Sequence, residues 1–176
     1  MYIPIILGTA REGRQSEKVA KFMLSEIIKN NLESEIIDVR DYKIEATDAS
    51  GMSIQAKKFA EKVNKASALI IVSPEYNHGY PGELKMMLDM LYKEYAQKPI
   101  GFCGVSAGVL GGARMVEQLR QVVVEFHMIS IREALYFPTV QNLFEENGNI
   151  KDESYHNRVQ TFLNELISYA QKLKAN

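Results

Sequence analysis

The stretch GTAREGRQS, residues 8–16, follows the apolar run YIPIILG at residues 2–8 and leads into a helical pattern. An apolar strand that ends in a glycine turn and passes directly into a helix is the opening unit of a β-α fold. The turn is one step from a nucleotide-hydrolase loop. Gly8 and Gly13 have that loop's spacing, but Arg14 and Gln15 stand where it requires Lys and then Ser or Thr. Free N–H groups at the helix start, the hydroxyls of Thr9 and Ser16, and the guanidiniums of Arg11 and Arg14 make a cradle for one phosphate group. The same residues also suit a plain glycine turn with a solvated helix start, so signals elsewhere must decide.

Outward from this unit, apolar runs and amphipathic segments alternate without internal repeats. Strands are expected at residues 2–8, 34–38, 68–73, 99–106 and 128–137, several of them continuously apolar as in a parallel sheet buried on both faces. Helices are expected at 16–30, 53–65, 82–95, 111–126 and about 153–174. In the first, Val19, Ala20, Met23, Leu24, Ile27 and Ile28 recur at helical spacing. Five β-α units make a three-layer α/β sandwich. The polar connections 40–51 and 141–152 are too short for domain linkers, so residues 1–176 read as one domain with 46% hydrophobic residues.

Composition narrows the function. A net charge of -1 lacks the basic footprint of a nucleic-acid binder. The lone Cys103 excludes an intrachain disulfide, and His78, His127 and His156 show no metal-ligand spacing, so no metal is expected. No run approaches a membrane span, and MYIPIILG lacks the basic start of a secretion signal; a cytoplasmic protein is expected. Cys103 lies in an apolar strand and reads as a core thiol. His127 and His156 read as structural or neutral, and Met86, Met87 and Met90 as core or intersubunit contacts.

In an open parallel sheet, ligands bind at the carboxyl ends of the strands near the reversal of strand order. After the third strand comes SPEYNHGYPGELK, residues 73–85, whose prolines, glycines and tyrosines describe a loop of fixed shape able to border a flat ring. After the fourth comes SAGVLGGAR, residues 106–114, where glycines permit close backbone approach. No Gly-x-Gly-x-x-Gly occurs, which disfavours a dinucleotide site. Strand three ends in Ser73-Pro74 rather than an aspartate, which disfavours metal-assisted nucleotide hydrolysis. One loop suited to a single phosphate and two suited to a planar ring describe flavin mononucleotide.

GTAREGRQSEKVA, PEYNHGYPGELKMMLDML and SAGVLGGARM, in this order over nearly the whole chain, resemble the flavodoxin-like family of NAD(P)H-dependent FMN reductases, which includes quinone, azo-dye and chromate reductases. The resemblance implies a flavodoxin-like sandwich with a five-stranded parallel sheet in the order 2-1-3-4-5. It assigns Thr9, Arg11, Arg14 and Ser16 to the FMN phosphate. Pro74, Glu75, Tyr76, Asn77 and Gly79 line the isoalloxazine, and Ser106, Ala107, Gly108 and Gly111 approach its other polar edge. Arg14 and Ser16 depart from the family's usual Ser and Asn. The helix GELKMMLDML, with Lys85 and Asp89, is implied in a homodimer or homotetramer. The implied reaction is a ping-pong hydride transfer from NADPH or NADH through FMN to a small-molecule acceptor, with no catalytic side chain. A flavodoxin-type electron carrier and a flavin-free interaction protein are the rivals; a carrier is usually more acidic than this chain. Bound yellow cofactor excludes the interaction protein, and NAD(P)H oxidation with a quinone excludes the carrier.

Overall fold

The computed structural model describes residues 1–46 and 51–174. The elements run β1 (Ile5–Leu7), α1 (Ser16–Lys29), β2 (Ile36–Asp38), α2 (Ile54–Lys65), β3 (Leu69–Pro74), α3 (Gly82–Leu88), β4 (Pro99–Val105), α4 (Ala113–Glu125), β5 (Ile129–Phe137) and α5 (Ser154–Lys174). All strands pair in parallel, in the order β2-β1-β3-β4-β5. This is the flavodoxin-like order, with its switch point between β1 and β3.

The sheet is covered on both faces because alternate strand residues feed two cores. Ile6, Leu69 and Ile71 face α2, α3 and α4, packing with Phe59, Leu84, Leu119 and Val123. Ile5, Leu7, Ile70 and Val72 face α1 and α5, packing with Met23, Ile27, Phe162 and Leu166. The side-chain period of two in a strand sends neighbours to opposite faces, so both sets must be apolar. Cys103 lies in β4 with no solvent exposure, and burial pushes its thiol pKa up.

Several boundaries differ from the sequence expectation for identifiable reasons. Pro4 has no N–H and interrupts the first apolar run, so regular β1 is confined to three residues, although Tyr2 still bridges to Glu33. The helix expected over 82–95 ends at Leu88. Buried Tyr95 turns back to donate its hydroxyl to the Leu88 carbonyl at 3.1 Å and stacks on Phe126 at 5.0 Å, which requires the chain to bend between them. α4 starts at Ala113 because Gly111 and Gly112 have φ of 60° and 86°, outside the helical region. Ile28, on the expected apolar stripe of α1, is exposed. His156, read from the sequence as structural or neutral, is half-buried; its Nδ1 lies 3.1 Å from the Glu26 carboxylate and its ring packs against Phe22. Residues 47–50 of the first polar connection lie outside the described residues.

Candidate functional site

The loops after β1, β3 and β4 meet around a cavity of about 430 Å³ at the carboxyl ends of the strands. Its walls include Arg11, Gly13, Arg14, Gln15 and Ser16 from the first loop, Pro74, Glu75 and Tyr76 from the second, and Ser106 and Ala107 from the third. Val105, Val140 and Gln141 complete it. Thr9, Asn77, Gly79, Gly108 and Gly111, also expected at the site, do not line it. A larger hollow of about 810 Å³, walled by Met90, Tyr92, Val122 and Phe126, contains none of the three loops. It borders Lys85 and Asp89, which pair with each other along α3.

Thr9 lies fully buried under the first loop as a junction. Its Oγ1 is 3.0 Å from the Tyr76 hydroxyl and donates to Glu83 Oε1 at 3.0 Å, while Arg11 N–H donates to it at 3.3 Å. Glu83, in the first turn of α3, also accepts from Ala10 N–H at 2.8 Å. Burial opposes ionisation of Glu83, but the N–H groups of Ala10 and Glu83 itself, the Thr9 hydroxyl and the nearby Arg11 charge outweigh it and hold the carboxyl below its ordinary range. Arg11 is exposed, with its guanidinium 3.8 Å above the Tyr76 ring.

Arg14 borders the cavity, but its guanidinium is turned toward β2. It donates to Thr9 O at 2.6 Å and to Asp38 Oδ1 at 2.8 Å, with a second bond to Asp38 Oδ2. That side chain is only 4% exposed. The bond to Asp38 raises the Arg14 pKa. Burial acts to raise that of Asp38, but bonds from Arg14 and from Arg40 N–H hold it below the usual aspartate range. At the start of α1, Ser16 Oγ and Gln15 Oε1 are buried with no hydrogen-bond partner. The Lys18 N–H bonds Gln15 O at 3.1 Å, whereas the N–H groups that open a helix before it have no intrahelical acceptor.

In the second loop, Tyr76 and Gly79 exchange two backbone hydrogen bonds of 2.9 and 3.0 Å around Asn77 and His78. Both central residues have positive φ, 50° and 68°, the signature of a type I′ turn. Asn77 and His78 are therefore at the exposed tip, where His78 O accepts from Gln118 at 2.8 Å. The Glu75 carboxylate bonds the Arg114 side chain at 2.8 Å and its N–H at 3.1 Å, tying this loop to α4.

The third loop is held by main chain. Gly108 O accepts from Thr139 N–H at 3.1 Å and Ser106 O from Val140 N–H at 3.1 Å, while Ser106 Oγ donates to Gly108 O at 2.9 Å. Gly111 packs inward: a Cβ there would lie 2.9 Å from Tyr136 Cβ and 3.0 Å from Phe137 N. Its place is under the loop, supporting the residues that face the cavity.

The arrangement fits FMN on its own terms. The orphaned Ser16 hydroxyl, the open first turn of α1 and the Arg11 cation suit one phosphate. The cavity lined by Pro74–Tyr76, Ser106–Ala107, Val140 and Gln141 has room for a ring. Several participants escaped sequence reasoning. Asp38 and Val140 carry no local motif, Arg40 and Gln141 were visible only as the first residues of the two polar connections, and Glu83 only as an acid in the first turn after Pro81.

Comparison with known proteins agrees. A quinone reductase of Pseudomonas putida is 28% identical over 182 residues, spanning 98% of this chain and 96% of its own. An FMN-dependent NADPH-azoreductase of Staphylococcus haemolyticus is 26% identical, spanning 94% and 93%. Among solved structures, a flavoenzyme NAD(P)H:(acceptor) oxidoreductase of Paracoccus denitrificans matches with a TM-score of 0.80 at 20% identity over 97% of each chain, a likeness of fold. Fold, site and relatives together define an FMN-dependent NAD(P)H oxidoreductase. The chain belongs to the NADPH-dependent FMN reductase family, whose model matches residues 1–142.

Proposed function

We propose that this oxidoreductase reduces a small planar acceptor, a quinone or an azo compound, at the cavity formed by the three loops, and that it works as a cytoplasmic homodimer or homotetramer. The observation that carries the site reading is the buried, unpartnered Ser16 hydroxyl at the start of α1, which lines the same cavity as Arg11 and the second and third loops. A buried polar atom without a protein partner is costly unless a ligand completes it. Arg11, Ser16 and the α1 amides would bind the phosphate. Pro74, Glu75, Tyr76, Ser106 and Ala107 would hold the ring, while Thr9 and Gly111 support the loops from beneath and Asn77, Gly79 and Gly108 set their turns. The chemistry FMN supplies when bound is hydride relay between NAD(P)H and the acceptor. The protein's part is to orient the ring, leave one face open to small planar molecules, and set the charge around it.

No helix among the described residues is long and apolar enough to cross a membrane, which supports the proposed compartment. The hollow beside α3, walled by Met90, Tyr92, Val122 and Phe126, supports the proposed contact between copies. The test is an absorbance spectrum of FMN-supplemented, desalted protein, followed anaerobically on adding NADPH and then NADH, with a quinone last. Flavin bands that bleach with a nicotinamide and return with the quinone are expected. Retained flavin that ignores both nucleotides would turn the reading toward an electron carrier; no retained flavin would sink it.

A further inference from the structure

Three consecutive carbonyls of the first loop point at guanidiniums. Arg14 donates to Thr9 O at 2.6 Å, and Arg40 donates through Nε to Ala10 O at 3.2 Å and through a terminal nitrogen to Arg11 O at 2.6 Å. One carboxylate organises both cations. Asp38, the last residue of β2, accepts from both terminal nitrogens of Arg14 and, at 3.0 Å, from the backbone N–H of Arg40. Because a trans peptide is planar, a carbonyl drawn to one side turns the next N–H to the other. The N–H groups of Ala10, Arg11 and Glu12 are thus turned away from the arginines. That of Ala10 meets Glu83 and that of Arg11 meets Thr9 Oγ1.

We propose that Asp38 is a positioning residue for the FMN phosphate, holding Arg14 and Arg40 so that they brace the carbonyl side of the loop and keep the Arg11 side chain and the start of α1 in place for the phosphate. The proposal rests on the FMN reading above. Arg14 faces Asp38 and is neutralised by it, whereas Arg11 makes no ion pair among the described residues. The countercharge to the phosphate therefore falls to Arg11, and Arg14 serves the loop's geometry.

If Arg14 were itself a phosphate ligand restrained by Asp38, Asp38→Asn would release it and FMN would bind more tightly. If Asp38 positions the loop, the same change weakens FMN by about tenfold, as for other supports one step removed from a ligand. Riboflavin, which lacks the phosphate, should keep its affinity within about twofold, since charge-assisted contacts to the phosphate are missing from it. Fluorescence titration of wild type and variant with both flavins reads this directly. Arg40→Gln removes the bonds to Ala10 O and Arg11 O from a more exposed position and should weaken FMN alone, by about threefold. It decides the matter if Asp38→Asn does not fold. Tighter FMN binding in Asp38→Asn, unchanged FMN binding, or an equal loss for both flavins overturns the positioning role. Wild-type protein that binds neither flavin overturns the FMN reading itself, and this role with it.

Discussion

The loops after β1 and β4 border the same cavity but are built by different physics. The first is fixed by side-chain charge drawn from three elements: Asp38 and Arg40 at the end of β2, Arg14 at its own end, and Glu83 in α3. The third is fixed by main chain, with carbonyls bonded to the segment after β5 and glycines packed against strand backbone. A charged brace makes loop shape depend on pH and on single charges far away in sequence. A packed backbone makes it depend on the absence of a Cβ.

The largest effect expected from this contrast is at Gly112. A Cβ there would sit 2.6 Å from Val105 N and 2.9 Å from Gly104 C, at a φ of 86°. Gly112→Ala should cost about 3 kcal/mol or more of stability, read as a fall in Tm. A Tm close to wild type would break the claim that packing holds the third loop. Next comes Arg11→Ala, which should weaken FMN by roughly 1.5 to 3 kcal/mol in a binding titration while sparing riboflavin. Equal losses for the two flavins would move Arg11 away from the phosphate. Ser16→Ala should separate stability from binding. The ligand-free protein loses an unsatisfied hydroxyl and should melt no lower than wild type, yet FMN affinity should fall by about 1 kcal/mol. A lower Tm with unchanged affinity would make Ser16 structural. The smallest effect is confined to acid. The Asp38 carboxyl is held below its ordinary 3.8, so its pairing contributes stability that is complete above that value and is lost as pH falls through the lower folded value. Wild type should therefore lose stability in that range more steeply than Asp38→Asn, in acid titrations followed by circular dichroism. Identical slopes would show that the ion pair adds nothing.

What the sequence displayed and what it hid follow the same division. Continuous apolar runs announced strands buried on both faces, and the three loops at their ends were visible as local composition. The direction of Arg14 was not, because it is set by Asp38, 24 residues away across the β1–β2 edge. The early end of α3 depends on a bond from Tyr95 to Leu88 that no helical periodicity encodes. In the second loop the residues with positive φ are Asn77 and His78, although Gly79 lies beside them. Asparagine tolerates that region, and the reciprocal bonds between Tyr76 and Gly79 hold the histidine there.

The position of Cys103 bears on how such a protein survives its own chemistry. Quinones, the acceptors proposed above, are electrophiles that add to thiolates. The chain has one cysteine, and that residue is sealed in the central layer with its ionisation suppressed. Repeated encounters with such molecules leave no thiol within their reach, so turnover does not carry thiol alkylation as a route to self-inactivation.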